Sequence, residues 1–462
     1  MILQGEAVMN TIEQIVKAQR EYFNAHNTLP VATRLKYLKA LKATIKAREQ
    51  DIFDALKADL NKSESESYMV EVGMVLEELS YNIKHVKKWA KPSRRGTPLA
   101  QFPSKSYVLP SPYGVTLVIA PWNYPFLLAM QPLIDSVSAG NTVVLKPSRA
   151  SAQTSRVMKE IVESVFPPEY VACVYGESAN AEVLDCKYDY IFFTGGAEVG
   201  KKVYEAASRD LTPVTLELGG KSPTVVDETA KIDLAARRIV FGKLLNAGQT
   251  CIAPDYIVAH KSIADKLVEC MKKYINKLYP DALNCEHFGK IISERHYNRV
   301  KNLISGNIAY GGGFSDEKQK IEPTIIYPAT LDDNAMQEEI FGPVMPVLTY
   351  STEAELNEIL DAHPTPLAFY LFTQKRKNEK KLIRSVPFGG GCVNDVIMHI
   401  ATTKMPFGGV GTSGIGSYHG KTGFMTFSHC KSILKKSTKL DLPIRYSPYS
   451  KFKDKLVRFF LK

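Results

Sequence analysis

The chain has 462 residues, of which 45% are hydrophobic and 23% are charged, so it is a globular protein long enough for two or three domains. No run approaches the roughly 20 apolar residues that a membrane-spanning helix needs. The net charge of +11 is concentrated in residues 431–462, where ten Lys and Arg face two Asp for a net of +8, and this placement argues against a nucleic-acid-binding face.

The N-terminal part of the chain is predicted to be helical. Apolar residues between positions 11 and 91 recur at spacings of three and four, as at Leu35, Leu38 and Leu41. The Pro- and Gly-containing linker 92–98 ends this pattern, and residues 106–109 are predicted to form a short strand that pairs outside the main sheet.

An alternation of strands and helices follows from residue 114 to residue 217. The β-rich runs are 115–120, 142–145, 171–175, 190–193 and 214–216. This βαβ series predicts an α/β fold with a doubly wound parallel sheet that binds a ligand at the carboxyl ends of its strands. The alternation restarts after Gly219 with a strand at 225–226, a helix near 234–246 and a strand at 256–258, which predicts a second α/β domain reaching about Met398.

Two glycine-rich motifs compete as the cofactor-binding turn. Residues 409–414 match G-x-G-x-x-G, but their flanks have loop composition, and the motif has mechanical meaning only between a strand and a helix. The better candidate is 193–200, which leaves an apolar strand and enters a helical run. Gly195 and Gly200 would then let the backbone approach a pyrophosphate, although a plain strand-to-helix turn explains the same letters.

Three polar side chains in apolar surroundings are the candidate catalytic residues. Cys251 lies between a helical run and a β-branched run, where backbone N–H groups or cations are expected to lower the pKa of a thiol. The alternative is a buried, inert cysteine. With the amide of Asn123 and the carboxylate of Glu217, the thiol would provide the parts needed for acyl chemistry through a thioester.

The cysteines point to the cellular compartment. There are seven, an odd number with no Cys-x-x-Cys pair: Cys173, Cys186, Cys251, Cys270, Cys285, Cys392 and Cys430. This distribution predicts a reducing cytoplasm with neither a disulfide framework nor a metal site. Residues 1–9 have no basic stretch followed by a long apolar core, so no signal peptide is expected.

Taken together, the motifs resemble the aldehyde dehydrogenase superfamily over about residues 115–429. The matching segments are Pro-Trp-Asn-Tyr-Pro (121–125), Lys-Pro-Ser (146–148), Phe-Thr-Gly (193–195), Glu-Leu-Gly-Gly (217–220), Gly-Gln-Thr-Cys (248–251) and Glu-Ile-Phe-Gly-Pro (339–343). Residues 246–256, 393–395, 406–411 and 418–421 further resemble the class 3 branch, which includes fatty aldehyde dehydrogenases and whose members are typically dimers.

The resemblance implies a domain plan. Residues 1–217 would hold the N-terminal helices and the dinucleotide-binding domain, with 98–113 as an oligomerisation strand. Residues 218–398 would form the catalytic domain, and residues 399–462 would return to the cofactor and oligomerisation region before ending in the basic tail.

The resemblance also implies a reaction, which is the NAD- or NADP-dependent oxidation of an aldehyde, expected to be a medium- or long-chain aliphatic or an aromatic one. Cys251 would attack the aldehyde carbon, the Asn123 amide and the Cys251 N–H would hold the oxyanion, and Glu217 would activate the hydrolytic water. The open alternatives are a coenzyme A-acylating enzyme, whose type generally lacks the glutamate at position 217, and a catalytically silent scaffold.

The cofactor residues are likewise implied by the resemblance. Lys146 and Glu339 would bind the two riboses, with Phe341 against the nicotinamide side. The other predicted cofactor-binding residues are Trp122, Ser148, Arg149, Gly195, Gly200 and Leu218. Many relatives carry a glutamate at position 149, which would repel a 2′-phosphate, whereas arginine can pair with it. NADP⁺ is therefore expected to be used at least comparably with NAD⁺.

The tail has two open interpretations. Phe452, Leu456, Phe459 and Phe460 recur at helical spacing and would form one apolar face flanked by basic residues. Such a helix suits peripheral contact with an anionic bilayer. It equally suits docking over the substrate entrance or against the partner subunit of a homodimer, since twelve residues form a marginal helix without support.

Overall fold

The N-terminal region is helical, as predicted. The computed structural model describes residues 11–176 and 182–461, so the signal-peptide prediction for residues 1–9 lies outside the described residues. The helices are α1 (Ile12–Asn24), α2 (Val31–Ala47), α3 (Glu49–Leu60), α4 (Glu64–Ser67) and α5 (Gly73–Trp89), with a π-helix at Tyr68–Val72 joining the last two. Leu38 and Leu41 are fully buried, which confirms the packing face that their spacing indicated.

A six-stranded sheet contains all five predicted β-rich runs. Its strands are β3 (Val115–Ile119), β4 (Thr142–Lys146), β5 (Val171–Cys173), β6 (Tyr190–Thr194), β7 (Val214–Glu217) and β17 (Gly414–Ile415). The spatial order is β17-β7-β6-β3-β4-β5, and only the edge strand β17 is antiparallel. Helix α1 and the helix α8 (Ala197–Ser208) pack on one face, while α6 (Leu127–Ala139) and α7 (Ala152–Val165) pack on the other. This is the expected doubly wound arrangement.

A second, seven-stranded sheet forms the predicted second α/β unit. Its strands are β8 (Pro223–Val226), β9 (Tyr256–His260), β10 (Ile308–Tyr310), β13 (Thr324–Ile326), β14 (Val344–Tyr350), β15 (Ala368–Phe372) and β16 (Gly390–Val393). Its order is β10-β13-β14-β9-β8-β15-β16, parallel except for the β10–β13 pair. The remaining elements of this unit are α9 (Ile232–Leu244), α10 (Ala264–Leu278), α11 (Glu294–Asn302), α12 (Asn334–Gln337), α13 (Glu353–Asp361), α14 (Arg376–Ser385) and the small hairpin of β11 (Phe314–Ser315) and β12 (Lys320–Ile321).

A three-stranded antiparallel sheet stands apart from the other two. The strand predicted at 106–109 is longer, β2 (Ser104–Pro112), and it lies between β1 (Ser93–Arg95) and β18 (Ser428–Lys436). Strand β18 was not predicted, because most of its residues were interpreted as the start of the basic tail. It pairs with β2, and the first partners in the ladder, Ser428 and Pro112, are 316 positions apart in the sequence. Local composition does not reveal such a distant contact.

The C-terminal segment ends in a helix. Helix α15 (Gly420–Thr426) precedes β18, and α16 (Lys451–Phe460) begins after Ser450, whose hydroxyl accepts a hydrogen bond from the Lys453 N–H. Phe452 and Phe459 are 72% and 68% exposed, so the apolar face of this helix is largely uncovered. Among the residues that the structure describes, no helix has the length and apolar content needed to cross a membrane.

Candidate active site

Cys251 lies in the turn between α9 and β9, the junction expected from the sequence. A 3-10 turn at Leu245–Gly248 precedes it, in which Asn246 and Ala247 have left-handed φ values of 52° and 51°. Gly248 has φ +77°, and a Cβ atom there would lie 2.2 Å from the carbonyl oxygen of Gly342. The glycine therefore allows the thiol-bearing loop to pack directly against the 339–343 segment.

Asn123 is hydrogen-bonded to the same loop. Its Nδ2 donates to the Gln249 carbonyl over 3.1 Å. Asn246 Nδ2 donates to the carbonyl oxygens of both Asn123 and Gln249, over 2.8 and 3.1 Å. The neighbouring Tyr124 hydroxyl is 2.6 Å from the Thr250 hydroxyl. These contacts bring a side-chain amide to the thiol-bearing loop, although 128 positions separate Asn123 from Cys251 in the sequence.

Glu217 ends strand β7 as a buried carboxyl. Neither of its side-chain oxygens has a hydrogen-bond partner among the described residues, so Glu217 is not held there by a buried ion pair. Burial raises the pKa of Glu217 well above its ordinary value. A raised pKa makes the ionised carboxylate a stronger proton acceptor, which suits a general base.

The thiol environment differs from the expectation. Burial raises the pKa of Cys251, and the nearby carboxyls of Glu339 and Glu217 raise it further. The N–H groups of Cys251 and Ile252 lower this pKa, but they do not offset burial. The prediction of a depressed pKa at this junction was wrong, because the loop end is buried against acidic groups instead of facing cations.

A cavity of about 270 Å³ brings most of the predicted residues together. Those on its walls are Trp122, Asn123, Gly195, Glu217, Leu218, Cys251, Glu339 and Phe341. The Trp122 and Phe341 rings meet edge to face with centroids 5.3 Å apart, and the centroid of the tilted His296 ring is 4.8 Å from that of Trp122. The thiol, amide and carboxyl thus share one cavity, as an acyl-transfer site requires.

Four predicted cofactor residues do not line this cavity: Lys146, Ser148, Arg149 and Gly200. Lys146 ends strand β4 and is buried; its pKa is lowered by burial and then by the charge of Arg149. The Ser148 hydroxyl accepts from the Ala150 N–H, and Arg149 is exposed. Lys146, Ser148 and Arg149 lie at the end of β4 or just after it. Since β4 is the strand next to β3, the three residues extend the same carboxyl edge of the sheet.

The carboxyl edge of the sheet has features that fit a dinucleotide. Helix α8 starts after Gly196 with no side-chain cap, so its first N–H groups are free to bind a phosphate. Glu339 is half-buried, and its Oε2 lies where a Cβ on Gly219 would be 2.1 Å away. Its Oε1 has no partner among the described residues, and burial, followed by Asp255, raises its pKa to about 8. An unpaired carboxyl oxygen of this kind suits a ribose hydroxyl.

The other glycine motif has no such surroundings. Residues 411–413 form a 3-10 turn, and Gly414 pairs with Glu217 at the edge of the sheet. The motif at 409–414 is therefore loop structure, as interpreted from its composition.

A second, apolar cavity of about 110 Å³ also reaches Cys251. Its walls include Met69, Met74, Phe241, Leu245 and Met398. Met69 and Met398 are each 49% exposed, so they lie at the mouth, whereas Leu245 and Tyr124 are buried near the thiol. The π-helix at Tyr68–Val72 places Met69 on this wall, an example of the association of such widened turns with functional sites.

Several supporting residues were missed by the sequence analysis. Lys221 Nζ is 2.5 Å from Asp255 Oδ2 and donates to the carbonyl oxygen of Glu338, while Asp255 Oδ1 accepts from the Ile340 N–H. This buried pair holds the segment that carries Glu339. In the sequence, Lys221 and Asp255 are marked only by their position beside an apolar strand. Composition does not reveal that they pair across 34 positions.

Comparison with known proteins identifies relatives along the whole chain. The model of the aldehyde dehydrogenase family matches residues 5–433. A 4,4'-diaponeurosporen-aldehyde dehydrogenase of Staphylococcus aureus is 43% identical over 98% of this chain and 100% of that relative. A dimeric NADP-preferring aldehyde dehydrogenase of Canis lupus familiaris is 42% identical over 95% of this chain and 98% of that relative. A solved structure of the substrate-bound state of Staphylococcus aureus AldH superposes with a TM-score of 0.96 at 43% identity, covering 98% of this chain and 100% of the other.

Proposed function

We propose a specific reaction for this chain, which belongs to the aldehyde dehydrogenase family and so oxidises aldehydes with NAD or NADP. The substrate is an apolar aldehyde, medium- or long-chain aliphatic or aromatic, and the product is the carboxylic acid. The observation that carries this proposal is the position of Cys251, which lies on the walls of both the cavity that holds Asn123 and Glu217 and the second, apolar cavity.

The thiol is the proposed nucleophile. The Cys251 thiol loses its proton to solvent, its sulfur bonds to the aldehyde carbon, and the carbonyl electron pair moves to oxygen, forming the oxyanion of a thiohemiacetal. The Asn123 amide and the Cys251 N–H donate hydrogen bonds to that oxygen, and one such donor typically contributes about 3 kcal/mol to the transition state. Bound NAD or NADP supplies the acceptor for the hydride that leaves this carbon.

Glu217 is the proposed general base for the thioester that remains. Its carboxylate takes a proton from water, the water oxygen bonds to the acyl carbon, and the Cys251 sulfur leaves with the electron pair of the broken C–S bond. Full burial without a hydrogen-bond partner supports this role, because nothing in the described residues competes for the carboxyl oxygens.

The cofactor is proposed to lie along the carboxyl edge of the first sheet. Lys146 and Glu339 would bind its riboses, Phe341 would pack against the nicotinamide side, and the start of α8 with Gly195 and Gly200 would receive the pyrophosphate. The set is completed by Trp122, Ser148, Arg149 and Leu218. Lys146 ends β4 and Arg149 follows three positions later, so two cations stand at this edge of the sheet, which supports binding of a 2′-phosphate and hence use of NADP⁺.

A panel of aldehydes tests the substrate. We expect reduction of the nicotinamide with hexanal to dodecanal and with benzaldehyde, with KM falling as the chain lengthens, because each methylene buried in the apolar cavity contributes about 0.8 kcal/mol. The Cys251→Ala variant should show no turnover. Equal KM values across the series would contradict the proposed apolar site.

The alternative of coenzyme A acylation makes a different product. The presence and burial of Glu217 favour hydrolysis, since a base near the thiol is needed for water and not for an incoming thiolate. Product analysis with coenzyme A present should yield the free carboxylic acid; accumulation of acyl-coenzyme A would reverse this choice.

We further propose a cytoplasmic homodimer that uses the three-stranded sheet. All seven cysteines are free, in keeping with a reducing compartment. The pairing of β18 with β2 and of β17 with β7 supports the domain plan in which residues 399–462 return to the region of residues 1–217. Helix α16 would dock over the substrate entrance or on the partner subunit, or else bind the surface of an anionic membrane. Its exposed Phe452 and Phe459 are available for any of these contacts.

A further inference from the structure

Lys62 is a buried charge that the proposed reaction does not use. It lies in the loop between α3 and α4, and its side chain has no exposed surface. Its Nζ is 2.5 Å from Glu71 Oε1 and donates to the backbone carbonyl of Asn123 over 2.9 Å. It also lies 4.1 Å from the centre of the Tyr124 ring. A fully buried ammonium group therefore stands directly behind the residue proposed to hold the oxyanion.

Glu71 extends this contact to the next helix. Its Oε2 accepts from the N–H groups of Phe126 and Leu127, at the beginning of α6, over 2.9 and 3.1 Å. The carboxylate thus binds one end of the 123–127 loop, while Lys62 binds the other. The loop that carries Asn123 is fixed between an ammonium group and a helix start.

The carbonyl of Asn123 receives two donors, Lys62 Nζ and Asn246 Nδ2. Asn246 is itself held, because Glu66 Oε1 accepts from its N–H over 2.7 Å. Since the Asn123 side chain donates to Gln249, both its peptide plane and its amide have fixed directions relative to Cys251. Without Lys62 one of the two restraints on this peptide plane is lost.

Stability alone is a weak reason for such a pair. Removing two charges from water costs several kcal/mol for each ion, and replacing a buried ion pair with apolar side chains is often neutral or stabilising. Displacement of a reacting group by about 1 Å, in contrast, can cost roughly 100-fold in rate. Orientation of the adjoining amide is therefore the better physical explanation of Lys62.

We infer that Lys62, with Glu71, is a positioning residue that holds the Asn123 amide where it donates to the thiohemiacetal oxygen. This inference deepens the proposed function and rests on the roles of Cys251 and Asn123. Lys62 itself touches neither cavity. It acts through the backbone of Asn123.

Two reactions of the same thiol separate positioning from general structural support. Aldehyde oxidation builds negative charge on oxygen, whereas alkylation by iodoacetamide forms an S–C bond with loss of iodide and needs no oxyanion donor. We expect Lys62→Met to lower kcat and kcat/KM for decanal together by roughly 10- to 100-fold. The alkylation rate of Cys251, measured by mass spectrometry, should change by less than about twofold because the thiol itself is not displaced.

Two further variants secure the test. Lys62→Met leaves the Glu71 carboxylate unpaired, so Lys62→Met/Glu71→Gln is measured beside it; the glutamine retains a carbonyl oxygen for the start of α6. Arg34→Met is the matched control, since Arg34 is also a buried cation that donates to backbone carbonyls, those of Thr28, Leu29 and Ser138. The control should lose thermal stability and keep both rates.

A double-mutant cycle with Asn123→Ala completes the experiment. If Lys62 acts through the amide, Lys62→Met should cost less than about twofold once Asn123→Ala is present. Additive losses, or equal losses in oxidation and alkylation, would overturn the inference while leaving the proposed reaction intact. Unchanged oxidation in Asn123→Ala alone would instead remove the oxyanion role, and the inference with it.

Discussion

The Glu217→Gln variant should become more stable than the wild type, by a margin that grows as the pH rises. The change keeps the shape of the side chain and removes its titration. In the wild type, burial raises the folded-state pKa of Glu217 well above the value of about 4.3 for an exposed glutamate. Between these two values the folded state holds a proton that the unfolded chain has lost, so wild-type stability falls with rising pH.

The expected magnitude follows from this linkage. Each pH unit inside the window costs the wild type about 1.4 kcal/mol relative to the variant. Glu339, whose pKa is raised to about 8, titrates in both proteins, so its contribution cancels in the difference. Urea denaturation of both proteins at pH 5, 6, 7 and 8 measures the effect. Parallel stability curves would refute the reasoning, because they would mean that Glu217 titrates normally in the folded protein.

The same variant should lose turnover. Removal of a general base typically slows the step it assists by 10²- to 10⁴-fold, so Glu217→Gln should release a burst of reduced cofactor followed by a slow steady rate. If Glu217→Gln is more stable than the wild type but hydrolyses the thioester slowly, then the wild type keeps Glu217 for catalysis at a cost in stability. Undiminished steady turnover would exclude Glu217 as the base.

Three further predictions concern the cofactor, the thiol loop and the tail. Arg149→Glu should reduce kcat/KM for NADP⁺ more than for NAD⁺, because a carboxylate repels the 2′-phosphate; equal losses, or a wild type that does not use NADP⁺, would contradict the assignment. Gly248→Ala should destabilise the protein by more than about 2 kcal/mol, since its φ is +77° and the new Cβ would lie 2.2 Å from a carbonyl oxygen, whereas Gly96→Ala, with no atom within 4 Å, should be neutral in thermal denaturation. A chain ending near Pro448 should sediment with anionic vesicles less than the full-length chain at low salt if α16 contacts membranes; identical sedimentation of the two proteins would leave docking, over the substrate entrance or on the partner subunit, as its role.

Local sequence predicted much of the fold because its signals are local. The runs beginning at Val115, Thr142 and Tyr190 are fully buried strands, and their apolar composition marks them without knowledge of their neighbours. The Cys251 turn was likewise placed by the change from helical to β-branched sequence. Strand β18 was missed, because its basic, mostly exposed sequence is stabilised by a distant partner, β2.

The site was predicted less completely than the fold. Asn123, Glu217 and Cys251 were found from motifs. Lys62 belongs to no motif, and its role is visible only in the fold, where its ammonium group donates to the Asn123 carbonyl, 61 positions away. The pKa of Cys251 was predicted in the wrong direction for a related reason. The sequence located the thiol at a turn. Its burial beside Glu339 and Glu217, however, arises only when three distant segments fold together, so the sequence did not reveal it.

Trapping the acyl-enzyme tests the central claim most directly. The Glu217→Gln variant is mixed with decanal and NAD⁺ or NADP⁺, quenched in acid during the slow phase, digested and examined by mass spectrometry. The account predicts a decanoyl group on the peptide that contains Cys251, in a yield that matches the burst of reduced cofactor. A burst of reduced cofactor with an unmodified Cys251 peptide, or a decanoyl group on another residue, would contradict it.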